Sequence, residues 1–267
     1  MSMSESALRW HEAAVELAHW AVKTAATGDR DPANATTKAH PVDWVTSVDQ
    51  AVERHVRQEL VARFPDHQVV GEEYGATARP AGGAPAVTWY LDPIDGTTNY
   101  VHGVPWVAFS LAAADERGAV VGVVADVHRG EVFSAIRGGG SFRNGEPIRY
   151  PGSVSLAGGV VLTEWSREKP WPAMYRCFSR LADRSVATRI MGSCALALAT
   201  VAAGRAAGAL LPGHYNAWDV MAGVLIAREA GAAVYDHDGP SPDTPLAGLL
   251  VAAPALVEEL WHVWVSE

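Results

Sequence analysis

The sequence predicts a protein that mixes helix and sheet, α+β in its first half and α/β in its second. Three patterns carry that prediction. Two segments near the start have helical periodicity. The stretch over 104–142 is a series of apolar runs cut by Glu116-Arg117-Gly118, His128-Arg129-Gly130 and Gly138-Gly139-Gly140, turn signals that predict an antiparallel meander. After about Pro151, strand-like and helix-like segments alternate instead. The change divides the chain into expected sub-domains at 1–150 and 151–267.

The elements follow in order. Apolar residues at helical spacing predict a helix over 8–26, ending near Gly28. A polar loop rich in Asp, Asn, Thr and Pro spans 29–40. A second helix is expected over 48–64, opened by Ser47-x-x-Gln50 as a capping box and stopped before Pro65. Val69-Val70 forms a short strand into Gly71-Glu72-Glu73, and 78–85 is a Pro/Gly-rich loop. Asn144-Gly145 marks a tight turn. Strands are expected over 159–163, 186–191, 206–211, 232–235 and near 249–253, and helices over 171–182, 193–203, 218–230 and 254–265. Gly231 serves as a helix stop.

Composition excludes several classes. The chain has 267 residues, 49% of them hydrophobic, enough for a large core. A formal charge of −9 argues against nucleic acid as the main partner. Two cysteines, Cys177 and Cys194, supply neither a disulfide framework nor zinc-ligand spacing, so a reduced, cytoplasmic setting is expected. Residues 1–10 lack the apolar core of a signal peptide. The Ala-rich stretch 194–211 is interrupted by Gly204 and Arg205, too early for a membrane span.

The most informative stretch is 88–103. An apolar run ends in Asp92-Pro93-Ile94-Asp95-Gly96-Thr97, and Pro93 predicts that the chain turns there at the end of a strand. Carboxylates would then lie beside backbone N–H groups opening a helix. Carboxylates attract divalent cations and helix N-termini attract phosphate, so the pattern suits a metal-held phosphate ester. Turn chemistry alone also explains Asp before Gly. Haloacid-dehalogenase-type phosphatases place two Asp after an apolar strand as well, but with one residue between them. The two-residue gap here favours metal ligation over an aspartyl-phosphate intermediate.

Other acids stand at comparable junctions. Glu72 and Glu73 follow the strand-like 68–71, Asp219 opens the helix over 218–230, and Asp43 and Asp49 flank Trp44-Val45-Thr46. Helix capping is the alternative role for Asp49 and Asp219, and a solvated loop for Glu72 and Glu73.

Four blocks in order resemble the inositol monophosphatase family, within the lithium-sensitive, magnesium-dependent phosphatase superfamily. They are Lys38-x-x-Pro-Val-Asp-Trp-Val-Thr-x-x-Asp49, Gly71-Glu72-Glu73, the block from Trp89 through Asp92-Pro-Ile-Asp-Gly-Thr to His102, and Trp218-Asp219-Val-x-Ala-Gly223 with Glu229-Ala-Gly231. The match runs over roughly 8–253. The resemblance implies alternating α-β-α-β-α layers, as in inositol monophosphatases and fructose-1,6-bisphosphatases. It implies Mg²⁺ held by Glu72, Asp92 and the Ile94 carbonyl, a second Mg²⁺ held by Asp92, Asp95 and Asp219, and a weaker third on Glu72. Gly96, Thr97 and Lys38 would meet the phosphate, and Asp49 and Thr97, with Glu72, would orient or deprotonate the attacking water. Glu73 would act behind its neighbour.

For the substrate, the resemblance points to Gly192-Ser193-Cys194, and the loop beside Asp219 offers His214 and Tyr215. In the animal enzymes a glutamate seven residues before the last metal-binding aspartate touches the sugar hydroxyls; that position is Pro212 here. The implied activity is hydrolysis of a small polyol phosphate, inositol 1-phosphate first. Histidinol phosphate is the enzymatic alternative, and a non-catalytic RNA- or transcription-associated regulator the alternative from another class. A homodimer, no nucleic acid as main partner and no membrane association complete the expectations.

Overall fold

The computed structural model describes residues 4–38, 43–78, 87–150, 155–165 and 169–266. The Pro/Gly-rich loop at 78–85 and the change of pattern at Pro151 lie almost wholly outside them.

Helix α1 (Glu5–Thr27) starts at Ser4, whose hydroxyl accepts the Ala7 N–H, and buries one face of mostly alanine with Leu17. A 3-10 turn at Pro32–Asn34 leads to the two-residue strands β1 (Thr36–Thr37) and β2 (Trp44–Val45), which pair with each other. Helix α2 (Ser47–Arg63) is capped by Thr46 and Asp49, not by Ser47 and Gln50. The cap falls one residue earlier because Thr46 is extended and Asp49 reaches back to its N–H.

Strands β3 (Gln68–Gly71), β4 (Gly75–Ala76) and β5 (Thr88–Asp95) precede the short helix α3 (Thr97–His102). The expected meander follows as β6 (Ala108–Asp115), β7 (Gly118–Asp126), β8 (Val132–Ile136), β9 (Gly140–Arg143) and β10 (Glu146–Ile148). These strands form an eight-stranded sheet in the order β10-β9-β8-β7-β6-β5-β3-β4, in which only β3 and β5 are parallel neighbours.

The rest of the chain alternates. It comprises β11 (Val160–Thr163), α4 (Met174–Asp183), β12 (Ala187–Ile190), α5 (Cys194–Ala202), β13 (Gly208–His214) and α6 (Ala217–Glu229). Then come β14 (Ala233–Asp236), β15 (Gly239–Pro240), β16 (Ala247–Ala252) and α7 (Val257–Val265). The second sheet runs β12-β11-β13-β16-β14-β15, parallel among the first three and antiparallel beyond.

Three cores make the layers. α1 and α2 pack on one face of the first sheet through Leu17, Val52, Leu60, Trp89 and Phe109. α5 and α6 fill the space between the sheets, touching Ala108 and Ala112 on one side and Ala209 and Leu249 on the other. α4 and α7 cover the outer face of the second sheet. The architecture is therefore the α-β-α-β-α sandwich. Gly223 lets α5 and α6 approach, since a Cβ there would lie 2.6 Å from the Leu198 Cβ. Among the described residues no helix is long and apolar enough to cross a membrane.

Candidate active site

β5 does not turn at Pro93. Its pairing with β6 runs Asp92↔Ser110 and then Asp95↔Ala108, so three steps on β5 match two on β6. That extra residue is a bulge, the one place inside a sheet where proline's missing N–H does no harm. The bulge also resolves a parity problem. Residues three apart on a regular strand point to opposite faces, but Ser110 and Ala108 are two apart and share one. Asp92 and Asp95 therefore both face the α5/α6 layer, while Leu91 and Ile94 stay in the α1/α2 core.

Glu72 arrives from the neighbouring strand. The parallel register pairs Gly71 with Leu91, and the Glu72 N–H donates to the Leu91 carbonyl at 3.2 Å, which sets Glu72 alongside Asp92. A residue not foreseen from sequence holds this corner. Glu53 of α2 is fully buried and accepts the N–H groups of Glu73 at 2.7 Å and Tyr74 at 3.0 Å, with Arg57 at 3.1 Å. Gly71 is required beneath it, since a Cβ would lie 2.2 Å from the Glu53 carboxylate. Glu53 could have been suspected as an acid four residues after Asp49 on the buried side of α2.

Asp219 comes from the second half of the chain, on α6. Ser110, opposite Asp92, donates to the Trp218 carbonyl at 2.9 Å and fixes the first turn of α6 beside β5. Asp219 also caps that helix, accepting the Asn216 N–H on Oδ2 at 2.7 Å. Asp49 caps α2 in the same way through Oδ2, while its Oδ1 lies 3.2 Å from the Thr97 hydroxyl, whose one proton is shared with the Ile94 carbonyl at 3.0 Å. Capping and site placement are thus one arrangement, a separate oxygen serving each at Asp49.

Glu72, Asp92, Asp95 and Asp219 line one cavity of about 630 Å³ together with Ile94, Gly96, Thr97 and Asn99. Burial, then the charges of Glu72, Asp95 and Asp219, push the Asp92 pKa well above the carboxylate range. Burial raises Asp95 to about 6 against hydrogen bonds from Ser193, Ala195 and Cys194, with Glu72 adding to the rise. Asp219 is raised to about 7 by burial, with Asp95 and Glu72 contributing. Asp49, 0% exposed, rises to about 6 by burial.

Each acid is engaged by a donor of the protein. Lys38 Nζ lies 2.8 Å from Glu72 and 2.6 Å from Glu73, Ile94 N–H donates to Asp92 at 3.0 Å, and Ser193 and Ala195 hold Asp95 at 2.6 and 2.7 Å. Burial pushes Glu73 to about 7, the Lys38 contact offsetting only part of it. As placed, no three His, Cys, Asp or Glu side chains among the described residues have the spacing to hold an ion. The donor chemistry still fits a hard divalent cation. It is all oxygen, and the raised pKa values show carboxylates that need positive charge. Lys38 already supplies one positive charge to Glu72.

The remaining candidates divide. Gly192 and Cys194 line the cavity; Ser193 does not, being buried as the N-cap of α5 with its hydroxyl on Asp95. Gly192 also packs against the β5–α3 corner: a Cβ on Gly96, whose φ is +97°, would lie 2.8 Å from its carbonyl. Asn99 clamps the same junction, donating to Trp106 O at 2.8 Å and Met191 O at 2.7 Å. His214 and Tyr215 are absent from the cavity wall, contrary to expectation. His214 is exposed at the end of β13, and Tyr215 packs on the core beside it with its N–H on the Leu246 carbonyl. In the wall stand Trp44, which belongs to the Lys38–Asp49 block, and Glu164, Trp165, Ile190 and Met191, which carry no local sequence signal.

The family model for the inositol monophosphatase family matches residues 6–265. The chain is 37% identical over 233 residues to the Nus factor SuhB of Pasteurella multocida, covering 86% of this chain and 85% of that protein. Its fold is similar to the inositol monophosphatase of Anabaena (Nostoc), with TM-score 0.81, 28% identity and 96% and 95% of the two chains covered. It is also similar to an IMPase/NADP phosphatase solved in complex with Mg²⁺ and phosphate, with TM-score 0.74, 26% identity and 87% and 86% covered. Fold and likeness define the class, a hydrolase of phosphoric monoesters. The chain belongs to the inositol monophosphatase family.

Proposed function

We propose that this phosphatase hydrolyses a small polyol phosphate, inositol 1-phosphate first, using Mg²⁺ and water without a covalent intermediate. The observation that carries the proposal is the bulge at Pro93-Ile94, which turns Asp92 and Asp95 to one face where Glu72 and Asp219 join them in a single cavity. Glu72, Asp92, the Ile94 carbonyl, Asp95 and Asp219 would hold the metal, as two or three ions. Bound Mg²⁺ supplies positive charge for the phosphate and Lewis acidity that lowers the pKa of the attacking water.

The chain's own groups do the rest. Thr97 stands between the cavity and buried Asp49, so its hydroxyl can orient a water and relay a proton to Asp49. In the metal-free protein burial raises Asp49 to about 6, the direction that suits a proton acceptor. Glu72 faces the same space. Gly96 and Thr97, opening α3, offer backbone N–H groups for the phosphate, and Lys38, paired with Glu72 and Glu73, would add a cation beside it. Gly192 and Cys194 would border the leaving group and Ser193 would position Asp95.

Two sub-domains, 1–150 and 151–267, a homodimeric state and a cytoplasmic location belong to the same proposal. Histidinol phosphate is the second candidate substrate, favoured by Pro212 and by the aromatic Trp44 and Trp165 in the wall. A phosphate-release assay over inositol 1-phosphate and histidinol phosphate, with and without Mg²⁺, tests it. Release that requires Mg²⁺ supports the proposal. No release from any ester leaves a non-catalytic role, the direction suggested by the Nus factor relative.

A further inference from the structure

Glu164 directly follows β11 and is 5% exposed, yet it lines the cavity. Its two oxygens are treated differently. Oε2 accepts the Gly192 N–H at 2.7 Å, which fixes the side chain. Oε1 is buried with no hydrogen-bond partner. An unsatisfied buried acceptor costs about 1–3 kcal/mol, and such a group in a native site calls for a missing partner. Oε1 is itself enclosed, behind a stretch of cavity wall to which Ile190, Met191 and Trp165, largely apolar residues, also belong.

We infer that Glu164 is a specificity-determining residue, hydrogen-bonding through Oε1 to a hydroxyl of the leaving alcohol. The inference rests on the phosphatase reading of this cavity. Gly192, itself clamped between Glu164 and the Asn99–Met191 bond, anchors the carboxyl at the cavity wall, so a small shift of that wall brings Oε1 to the ligand. A hydroxyl is the matching group because it both donates and accepts. Burial pushes Glu164 up to about 8, which keeps it largely neutral near pH 7 and disfavours a permanent cation as partner.

The test compares wild type, Glu164→Ala and Glu164→Gln on inositol 1-phosphate and on p-nitrophenyl phosphate, whose leaving group carries no further hydroxyl. In Mg²⁺, Glu164→Ala should lower kcat/KM for inositol 1-phosphate by roughly 10- to 100-fold while p-nitrophenyl phosphate changes by less than about threefold. Glu164→Gln keeps an acceptor for Gly192 and a polar group in the cavity, and should recover most of the loss. Equal losses on both esters, or none on either, would overturn the assignment. Calorimetry with Ca²⁺, a hard oxygen-seeking ion, in place of Mg²⁺ reads binding without turnover. Glu164→Ala should weaken inositol 1-phosphate and leave inorganic phosphate unchanged. Wild type binding the two equally, or a variant indistinguishable from wild type, would overturn the inference. Absence of any turnover in wild type would instead defeat the phosphatase reading alone.

Discussion

Ser110 donates a 2.9 Å hydrogen bond to the Trp218 carbonyl, a polar tie between the strand paired with Asp92 and the helix bearing Asp219, which also share an apolar core. Ser110 is 1% exposed and is flanked by apolar residues, Ala108-Phe109 and Leu111 to Ala114, so its hydroxyl has no solvent role. Ser110→Ala should cost about 1 kcal/mol of stability, the ordinary value of one such bond. Its larger effect should fall on the Mg²⁺ requirement, since Asp219 loses its register against Asp92. We expect the half-saturating Mg²⁺ to rise roughly 10-fold, within the range seen when a ligand loses its supporting contact. Activity measured across a Mg²⁺ series reads this directly; an unchanged series would show that α6 is held by packing alone.

Asp95→Asn should reduce turnover by about 10³-fold or more, as expected when a ligand charge central to metal catalysis is removed. The fold should survive. The amide oxygen of the variant keeps an acceptor for Ser193 and Ala195, and one of four mutually repelling charges is gone. Thermal unfolding of the metal-free variant should therefore match or exceed wild type. Near-normal turnover at saturating Mg²⁺ would reject the metal role of Asp95.

The acids dictate an unusual pH dependence for metal-free protein. Folded-state pKa values near 6 for Asp49 and Asp95, and near 7 for Asp219, lie above those of the unfolded chain. Over the window from about pH 4 to 7 the folded state therefore binds more protons, and stability falls as pH rises. Full stability from these groups is present below the unfolded pKa and is lost through the folded one. Unfolding temperature of metal-free protein should be higher at about pH 5 than at about pH 7.5, and added Mg²⁺ should raise it most at the higher pH. A metal-free protein more stable at the higher pH would contradict the clustering.

Glu53→Ala should be among the most damaging single changes, roughly 3–5 kcal/mol, because it leaves the N–H groups of Glu73 and Tyr74 without their acceptor and removes one of the two partners of Arg57, which keeps the Gly75 carbonyl. Urea unfolding measures the loss. A change under about 1 kcal/mol would mean that the turn after β3 needs no such support.

Much of the fold was legible in the sequence, because the helices and the meander are set by local periodicity and turn residues. Glu72, just after β3, and Asp219, in the first turn of α6, were legible at element ends, whereas Asp92 and Asp95 lie within β5. What stayed hidden was non-local. Pro93 signalled a chain reversal, yet the pairing with β6 absorbs it as a bulge, which no local rule distinguishes. The antiparallel seat of β16 between β13 and β14 depends on partners far along the chain. Ser110 meets Trp218 across 108 residues and Glu164 meets Gly192 across 28, so neither role has a sequence signature. His214 and Tyr215 do not line the cavity wall, although Tyr215, whose hydroxyl is buried, lies near Cys194, Glu164 and Asp219, which do.

The central claim is that Glu72, Asp92, Asp95 and Asp219 close on a divalent cation between β5 and α6. Diffraction from crystals grown with Mn²⁺, an anomalous scatterer that accepts the same oxygen ligands as Mg²⁺, tests it most directly. The account predicts anomalous peaks within coordination distance of these four carboxylates, with Lys38 withdrawn from Glu72. Peaks elsewhere, or none at saturating Mn²⁺, would contradict it.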